Sequence, residues 1–385
     1  MTHEQQINTL FNQRYQHQPD VICYAPARVN IIGDHTDYND GFVFPAAIDC
    51  GTTIAASKRD DQLVKVYSHD FGQSSTEFVL NQFSFDTEHM WCNYIKGSVQ
   101  ALMEKYPNLR GANLVVTGNV AQGAGLSSSA SFEMAILKTF TSLYQLELDG
   151  KTAAKMGQQA ENDYVGCNCG IMDQLISAMG KKGHAMLLDC RDLTFEDAPI
   201  SDELSLVIIN SNVKRGLVDS EYNLRREQCE QVAKHFGCKA LRDVTLAQLE
   251  SEKAQLPDVQ YKRAKHVITE NARTVAALTA FKSSDMSTLS QLMAESHQSL
   301  RDDFEVTTVE MDGLVEIISE QIGNQGGVRM TGGGFGGCVV ALMPKTLIKQ
   351  VTEHVNIQYP ERFGLTADIY ICHASQGAFR QIEEA

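Results

Sequence analysis

The sequence predicts a chain of two domains in which strands and helices are combined. Its 385 residues exceed the roughly 100 to 200 residues typical of one domain. Short apolar runs broken by turn residues predict strands in the first third, and stretches with helical periodicity follow. The pattern changes again between residues 175 and 200, so we expect an N-terminal domain over residues 1–180 and a C-terminal domain over residues 181–385.

The individual elements follow from local patterns. Short apolar runs predict strands over residues 21–24, 41–48, 63–67, 113–116, 204–209, 339–343 and 367–372. Apolar residues that recur at helical spacing predict helices over residues 129–146, 151–164, 220–235, 258–281, 286–304 and 309–322. We expect the stretch before residue 120 to be mostly sheet.

Composition and charge exclude several classes of protein. With 43% hydrophobic and 21% charged residues, the chain has the composition of a folded protein. Its 33 basic and 48 acidic residues give a net charge of −15, which repels nucleic-acid backbones and anionic membranes. The start lacks a basic stretch followed by an apolar one, and no apolar run approaches about 18 residues. We therefore expect a cytoplasmic protein that binds neither nucleic acid nor membrane.

The ten cysteines indicate a reducing compartment. Half of them stand alone in apolar runs, which is typical of buried free thiols: Cys23, Cys50, Cys92, Cys190 and Cys338. The closest pair, Cys167 and Cys169, has no second cysteine or histidine pair at the spacing of a zinc site. We expect no zinc at this pair.

A glycine and serine loop over residues 123–130, GAGLSSSA, follows a predicted strand and opens a predicted helix. Its glycines let the backbone approach an anion, the first helical N–H groups point toward that anion, and serine hydroxyls can bind a hard cation. An ordinary helix cap needs one serine, whereas three occur here in succession. The loop therefore predicts a site for phosphate and a metal ion.

A second glycine run, over residues 332–337, fits none of three familiar nucleotide sites. It contains G-x-G-x-x-G, but the run after it predicts a strand instead of the helix that a dinucleotide site requires. HDFG at residues 69–72 resembles a protein-kinase motif but precedes the glycine run, and the chain has no Walker A sequence. Five glycines in six residues suit a tight hairpin or a close approach of backbone to a ligand.

Polar residues cluster between two predicted strands, over residues 34–41 (DHTDYNDG). They suit the hydroxyl groups of a polyol, although a turn rich in aspartate and asparagine has the same composition. Arg28 lies in an otherwise apolar segment and is expected to face a carboxylate or a phosphate. Asp173 heads an apolar helix, where it serves either the helix dipole or catalysis.

Together these segments resemble the galactokinase family, part of a superfamily with homoserine, mevalonate and phosphomevalonate kinases. Four signatures occur in order: APxRVNxIGxHTDYNDG over residues 25–41, GxGLSSSA over 123–130, CGIMDQ over 169–174 and RMTGGGFGGC over 329–338. The resemblance runs from about residue 20 to the C-terminus. It implies a two-domain α+β small-molecule kinase with its site in the inter-domain cleft. It further implies an ATP-dependent sugar kinase that phosphorylates the C1 hydroxyl of galactose, the first step of galactose catabolism.

The same resemblance implies roles for individual residues. Asp173 would be the catalytic base with Arg28 as its partner, and Ser129 with Glu161 would hold Mg²⁺. The residues expected to bind the sugar are Asp34, His35, Asp37, Gly170 and Tyr222. Those expected to bind ATP are Gly123, Ala124, Gly125, Leu126, Ser127, Ser128 and Ser129 at the phosphates and Trp91 and Tyr94 at the adenine.

The chain departs from the family pattern at two positions. Ala27 replaces the usual glycine, and Asp34 replaces the usual glutamate, which shortens a sugar-contacting carboxylate by one methylene. We expect its contact with the sugar to pass through a water molecule.

Two other functions stay open: a kinase for a modified hexose such as N-acetylgalactosamine, and a non-catalytic sensor of galactose and ATP. The intact serine loop and Asp173 favour an enzyme, and we expect it to be a monomer.

Overall fold

The computed structural model describes residues 3–70, 72–120, 125–213 and 218–381. The helices are α1 (His3–Tyr15), α2 (Cys92–Lys105), α3 (Ser128–Tyr144), α4 (Gly150–Gln159), α5 (Met172–Met179), α6 (Val218–His235), α7 (Leu246–Ser251), α8 (Asp258–Lys282), α9 (Met286–Ser299), α10 (Val309–Ile322) and α11 (Ile348–Phe363). The strands are β1 (Val21–Asn30), β2 (Phe42–Val43), β3 (Pro45–Lys58), β4 (Leu63–Ser68), β5 (Ser75–Val79), β6 (Ala112–Gly118), β7 (His184–Asp189), β8 (Phe195–Pro199), β9 (Leu204–Asn210), β10 (Gly327–Thr331), β11 (Cys338–Pro344) and β12 (Asp368–Cys372).

The N-terminal half is built on a five-stranded sheet in the order β1-β3-β6-β4-β5. Only β4 and β6 are parallel in it, and its other neighbours are antiparallel. Helices α2 to α5 pack on one face over a core that includes Ile54, Leu114 and Phe140, each fully buried. Helix α1 covers the other face with Ile7 and Phe11, which are four residues apart and therefore share one side of the helix.

The C-terminal half is built on an antiparallel four-stranded sheet in the order β10-β11-β9-β12. Strand β9 is central and apolar, and its residues Val207 and Ile209 face a core formed with α6, α8, α10 and α11. The glycine run over residues 332–337 joins the antiparallel strands β10 and β11, so it forms the connection of a hairpin.

The two halves are joined by sheet pairing as well as by the chain. Strands β7 and β8 form a small sheet with β2 from the N-terminal half. After β12 the chain returns to β3, where Ile48 pairs with Ala374. A third apolar cluster, which includes Ile31, Phe44 and Ile208, lies between the two larger cores. The two halves therefore share strand pairing and a buried apolar cluster.

Most predicted elements are confirmed, with three corrections. The prediction of mostly sheet before residue 120 is wrong for α1 and α2, because the few apolar residues of α1 are hidden among polar ones. The predicted strand over residues 41–48 is divided at Phe44 into β2 and the start of β3. The helices predicted to reach residues 164 and 304 change to π-helical turns, at Ala160–Val165 and Leu300–Phe304.

Within the described ranges, no helix combines the length and apolar character that a bilayer crossing would require.

Candidate active site

The predicted site residues come from distant parts of the chain and meet in one cavity of about 310 Å³ between the two halves. The N-terminal half contributes strand β1, the turn after it, the start of α3 and the start of α5. The C-terminal half contributes α6 and the β10–β11 hairpin through Gly332 and Gly333. Predicted residues that line the cavity are Arg28, Asp34, His35, Asp37, Tyr94, Gly125, Leu126, Ser127, Ser128, Ser129, Glu161, Gly170, Asp173 and Tyr222. Gly123 and Ala124 lie outside the described residues.

The central contact of the cavity is a bidentate ion pair. Arg28 Nε and Nη2 donate to Asp173 Oδ1 and Oδ2, each over 2.6 Å. Only 7% of the Arg28 side chain and 23% of the Asp173 side chain are exposed, so water screens the pair weakly. Burial alone would lower the pKa of Arg28, but the charge and hydrogen bonds of Asp173, together with Asp34 and Asp37, raise it. The guanidinium is therefore a permanent cation beside Asp173.

The glycine and serine loop is tied to this pair. Arg28 Nη1 donates to the Gly125 carbonyl oxygen over 2.6 Å, and the Ser127 hydroxyl donates to Asp173 Oδ2. Gly125 and Ser127 both have positive φ, 76° and 54°, which turns the backbone sharply into the start of α3. The loop, the guanidinium and the carboxylate thus form one hydrogen-bonded unit at the helix N-terminus.

Asp34 lines the cavity but its carboxylate is already bonded. Arg329 Nη2 donates to Asp34 Oδ2 over 2.6 Å, and the Gly332 N–H donates to the same oxygen over 3.2 Å. Asn30 Nδ2 donates to Oδ1 over 2.8 Å. The Arg329 and Asp34 side chains are 0% and 3% exposed. This buried pair therefore links the turn after β1 to strand β10 in the other half of the molecule.

An aromatic wall stands beside the polar turn. The His35 ring lies 4.7 Å from Phe304 and 5.5 Å from Tyr222, and its Nδ1 is 2.9 Å from the Tyr38 hydroxyl. Burial, followed by the electrostatic effect of the neighbouring His266, lowers the pKa of His35 well below its ordinary value. His35 is accordingly a neutral group that can donate or accept a hydrogen bond at the cavity.

Asp37 and Gly170, which both line the cavity, approach each other closely. A Cβ at Gly170 would lie 2.0 Å from Asp37 Oδ2, so any side chain there would displace the carboxylate. Burial raises the pKa of Asp37 to about 7, and the negative charge of Asp173 adds to the effect. The negative charge of Asp173 therefore disfavours ionisation of Asp37 in the free cavity.

A second acidic cluster lies at the start of α3. Gln174 Nε2 donates to Glu161 Oε2 over 2.6 Å and to Glu133 Oε2 over 3.1 Å, and Ser129 hydrogen-bonds Glu161. Burial raises the pKa of Glu161 to about 7, and it raises that of Glu133 well above its ordinary value. The buried Glu133 Oε1 has no hydrogen-bond partner among the described residues. Oxygen ligands with excess negative charge suit a hard divalent cation, so Ser129 and Glu161 fit Mg²⁺.

A second cavity of about 380 Å³ adjoins the first, and Tyr94, Ser128 and Ser129 line both. Its other walls include Trp91, Phe132 and Val116, which offer apolar and aromatic surface. Trp91 therefore lies in this second cavity, whereas Tyr94 stands at the junction. A polar cavity and a more apolar one thus meet over the N-terminus of α3.

Three residues of the site were missed from the sequence: Glu133, Gln174 and Arg329. Glu133 follows Ser129 by four residues, so helical spacing alone would have placed both on one face. Gln174 directly follows Asp173 within a recognised signature. Arg329 opens the fourth signature, but nothing in the sequence pairs it with Asp34.

Comparison with known proteins agrees with this geometry. The sequence matches the GHMP kinases N terminal domain over residues 93–181 and the GHMP kinases C terminal family over residues 277–361. It matches the galactokinase galactose-binding signature over residues 9–58. The matches to the two domain families define the class, a small-molecule kinase of this two-part fold.

Solved structures narrow the class. The galactokinase of Lactococcus lactis, crystallised with galactose, is 33% identical, with a TM-score of 0.93 over 98% of this chain and 99% of that one. The Methanococcus jannaschii mevalonate kinase shares the fold at 18% identity, with a TM-score of 0.65 over 92% of this chain and 98% of that one. Phosphomevalonate kinase of Streptococcus pneumoniae does so at 12% identity, with a TM-score of 0.66 over 91% and 99%. The chain belongs to the galactokinase family, whose members are ATP-dependent sugar kinases.

Proposed function

We propose that the protein transfers the γ-phosphoryl group of ATP to the C1 hydroxyl of galactose, giving galactose 1-phosphate and ADP. The observation that carries the proposal is the Arg28–Asp173 pair, which stands between the polar turn over residues 34–37 and the N-terminus of α3. A sugar hydroxyl on one side and a phosphate on the other would both reach this pair. Phosphoryl transfer requires such alignment more than it requires covalent chemistry by the protein.

In this proposal Asp173 is the general base. Its carboxylate would accept the proton of the C1 hydroxyl as that oxygen attacks the γ-phosphorus. Arg28 would orient this carboxylate through its two hydrogen bonds and offset negative charge on the transferred group. Ser127 now donates to Asp173 and would be free to turn toward a phosphate when one binds.

Residues 123–129 would hold the ATP phosphates. The N–H groups at the start of α3 point out of the helix, and the helix dipole favours an anion there. The proposal thereby places the phosphates where the two cavities meet. Trp91 and Tyr94 would flank the adenine in the second cavity.

The proposed sugar site lies on the other side of Asp173. His35, Asp37 and Tyr222 offer donors and acceptors, and Gly170 leaves room for the Asp37 carboxylate. Asp34 already accepts three hydrogen bonds, so we propose that a water molecule mediates its contact with the sugar. If a sugar lacked one of the matching hydroxyls, polar groups of this site would stay without a hydrogen-bond partner, which disfavours its binding.

We propose that Ser129 and Glu161 hold Mg²⁺ and that Glu133 lies behind them as a further negative charge. When bound, the ion neutralises charge on the β- and γ-phosphates of ATP. Glu161→Gln or Ser129→Ala should raise the Mg²⁺ concentration needed for half-maximal activity, because each removes a ligand or its charge. Unchanged Mg²⁺ titrations in both variants would place the cation elsewhere.

The proposal also includes a cytoplasmic monomer with domains over residues 1–180 and 181–385. Light scattering on the purified full chain measures the oligomeric state directly.

A single assay distinguishes the proposed function from its rivals. ADP release is measured with galactose, with glucose, with N-acetylgalactosamine and without any sugar. Binding of sugar and of ATP is measured separately. We expect galactose-dependent ADP release that greatly exceeds release with the other two sugars. A preference for N-acetylgalactosamine would indicate a kinase for modified hexoses. Binding of galactose and ATP without any ADP release would indicate a sensor.

A further inference from the structure

Two cysteines from opposite ends of the chain face each other outside the active site. After β12 the chain pairs with β3 at Ile48 and Ala374, and this antiparallel register sets Cys50 opposite Cys372. Cys50 is half-buried and Cys372 is 2% exposed. Both sulfur atoms and a carboxylate oxygen of Asp49 lie within 4.8 Å of one another.

A bulge in β3 explains how two successive residues reach the same point. Pro26 pairs with Gly51 and Arg28 with Ala47, so Ala27 alone is opposed by three residues of β3. Successive side chains of a regular strand point to opposite faces, but a bulge breaks this alternation. Asp49 and Cys50 therefore both turn toward Cys372.

The carboxylate of Asp49 is held in place by the next residue of the facing strand. The His373 N–H donates to Asp49 Oδ1 over 2.9 Å, and His373 Nδ1 lies 3.0 Å from Asp49 Oδ2. Ligating carboxylates in metal sites are commonly oriented by such outer partners. The side chains of Asp49 and His373 are 46% and 66% exposed, so an ion and a water molecule could enter from solvent.

We propose that Asp49, Cys50 and Cys372 form a binding site for a soft divalent cation of the zinc class, with water as the fourth ligand. A tetrahedral zinc ion lies about 2.3 Å from sulfur and about 2.0 to 2.2 Å from a carboxylate oxygen, so its donors are separated by less than about 4.6 Å. The three donor atoms already stand near this separation. Two thiolates select zinc over magnesium or calcium, which prefer oxygen ligands only.

Thiolate ligands lose their protons when they bind a metal, so occupation of this site would be accompanied by proton release. The bound ion would join β3 of the N-terminal half to β12 of the C-terminal half, close to the contact of Ser375 N–H with the Ala47 carbonyl oxygen.

Cobalt spectroscopy tests the site on the full chain. Metal-free, reduced protein is titrated with Co²⁺ in the presence of excess Mg²⁺, which occupies oxygen-rich sites such as that at Glu161. We expect about one Co²⁺ per chain with an intense thiolate-to-cobalt charge-transfer band and the visible bands of tetrahedral Co²⁺, all abolished by added Zn²⁺. Zn²⁺ should also raise the melting temperature and slow hydrogen exchange at the Asp49 and Ser375 amides.

Three variants identify the ligands. Cys50→Ser should abolish the charge-transfer band and weaken Zn²⁺ binding by more than the roughly 10- to 100-fold cost of losing an outer-shell partner. Asp49→Asn keeps both sulfurs and should retain the band with weaker binding. Cys238→Ser is the matched control, since this half-buried cysteine contacts the Phe236 carbonyl oxygen and lies outside the cluster, and it should behave as the parent protein.

Two outcomes would overturn the proposal. The first is the absence of a charge-transfer band in the parent protein. This result does not depend on whether any variant folds. The other is a band of equal strength in Cys50→Ser, which would locate the thiolate ligands elsewhere.

Discussion

Asp173 receives two hydrogen bonds from one guanidinium and a third from Ser127, so its orientation is fixed before a substrate arrives. Such preorganisation is what a general base in phosphoryl transfer requires, because the reacting oxygen must be held in line with the phosphorus. The same contacts make Asp173 a structural element, since its removal would leave Arg28 buried without its partner. A test of catalysis must therefore keep the shape of the side chain.

Asp173→Asn keeps that shape and removes the charge and the basic oxygen. We expect sugar and ATP binding to be retained while turnover falls by at least about 10²-fold, the lower limit for loss of a general base. Calorimetric binding and steady-state ADP release measure the two quantities separately. Asp163→Asn, an exposed carboxylate ten residues earlier, serves as the control and should keep near-normal turnover. Near-normal turnover in Asp173→Asn would contradict the proposal that Asp173 is the general base.

The buried pair of Asp34 and Arg329 yields a prediction about stability. Asp34→Ala leaves a guanidinium fully buried with its charge unpaired, which typically costs about 3 to 5 kcal/mol. We expect a large fall in the urea midpoint and melting temperature of the free protein. The double variant Asp34→Ala/Arg329→Met should recover much of the loss, because no unpaired charge remains. Equal stability of the single and double variants would show that the pair interacts weakly.

At the same scale, the sequence predicted most of the residues that meet in the cavity but not the partners of their polar atoms. Arg28 was expected to face an anion because it interrupts an apolar segment, and it does face Asp173. Asp34 and Arg329 lie 295 residues apart, and the contacts of β10 side chains with the end of β1 bring them together. Pairings of this kind depend on tertiary geometry that one sequence does not encode locally.

At the scale of elements, periodicity predicted several of the longer helices, but it did not predict α2 or α11. The helix over residues 309–322 agrees in both bounds, and α8 differs at one end by a single residue. Helix α1 was missed because it buries only a narrow stripe, Ile7 and Phe11, among polar residues. The π-helical turn at Ala160–Val165 was also missed, and it carries Glu161 toward Ser129.

The β10–β11 hairpin explains why its connection needs glycine. Gly334 has φ of +81°, and a Cβ there would lie 2.3 Å from the Val306 carbonyl oxygen. Gly237 has a comparable φ of +65°, but no atom lies within 4 Å of its ideal Cβ position. A side chain at Gly237 would therefore meet backbone strain alone, whereas one at Gly334 would meet backbone strain and steric overlap.

We expect Gly237→Ala to lower stability by about 1 to 2 kcal/mol, the cost of a left-handed conformation. Gly334→Ala should lose more, because overpacking adds about 1 to 3 kcal/mol to the same strain. It should also raise the KM for sugar, since the neighbouring Gly332 and Gly333 line the cavity. Urea denaturation compares the two variants directly. Equal losses would mean that the hairpin moves freely away from Val306.

At the scale of the whole molecule, negative charge is in excess both over the chain, with a net charge of −15, and within the cavity. The cavity gathers Asp37, Glu161 and Asp173 with Arg28 as the central cation, so free protein carries unfavourable carboxylate pairs there. Native structure tolerates this arrangement because the two halves are held together by buried contacts elsewhere, including the Asp34–Arg329 pair and the strands that cross between the halves. Stability of the free protein is consequently linked to proton binding at the cavity.

Asp37 gives this linkage a definite sign. Its pKa is raised by burial from an ordinary value of 3.8 to about 7, so between these pH values the folded protein keeps a proton that the unfolded chain has released. The contribution to stability is therefore fully present below about pH 3.8 and is lost as the pH rises through about 7. Asp37→Asn removes it. We expect the melting temperature of this variant, relative to the parent protein, to increase steadily from pH 4 to pH 8 when both are measured without substrates. Parallel curves over that range would show that Asp37 ionises in the folded protein as it does in the unfolded chain, and the cavity would then carry less electrostatic conflict than its geometry indicates.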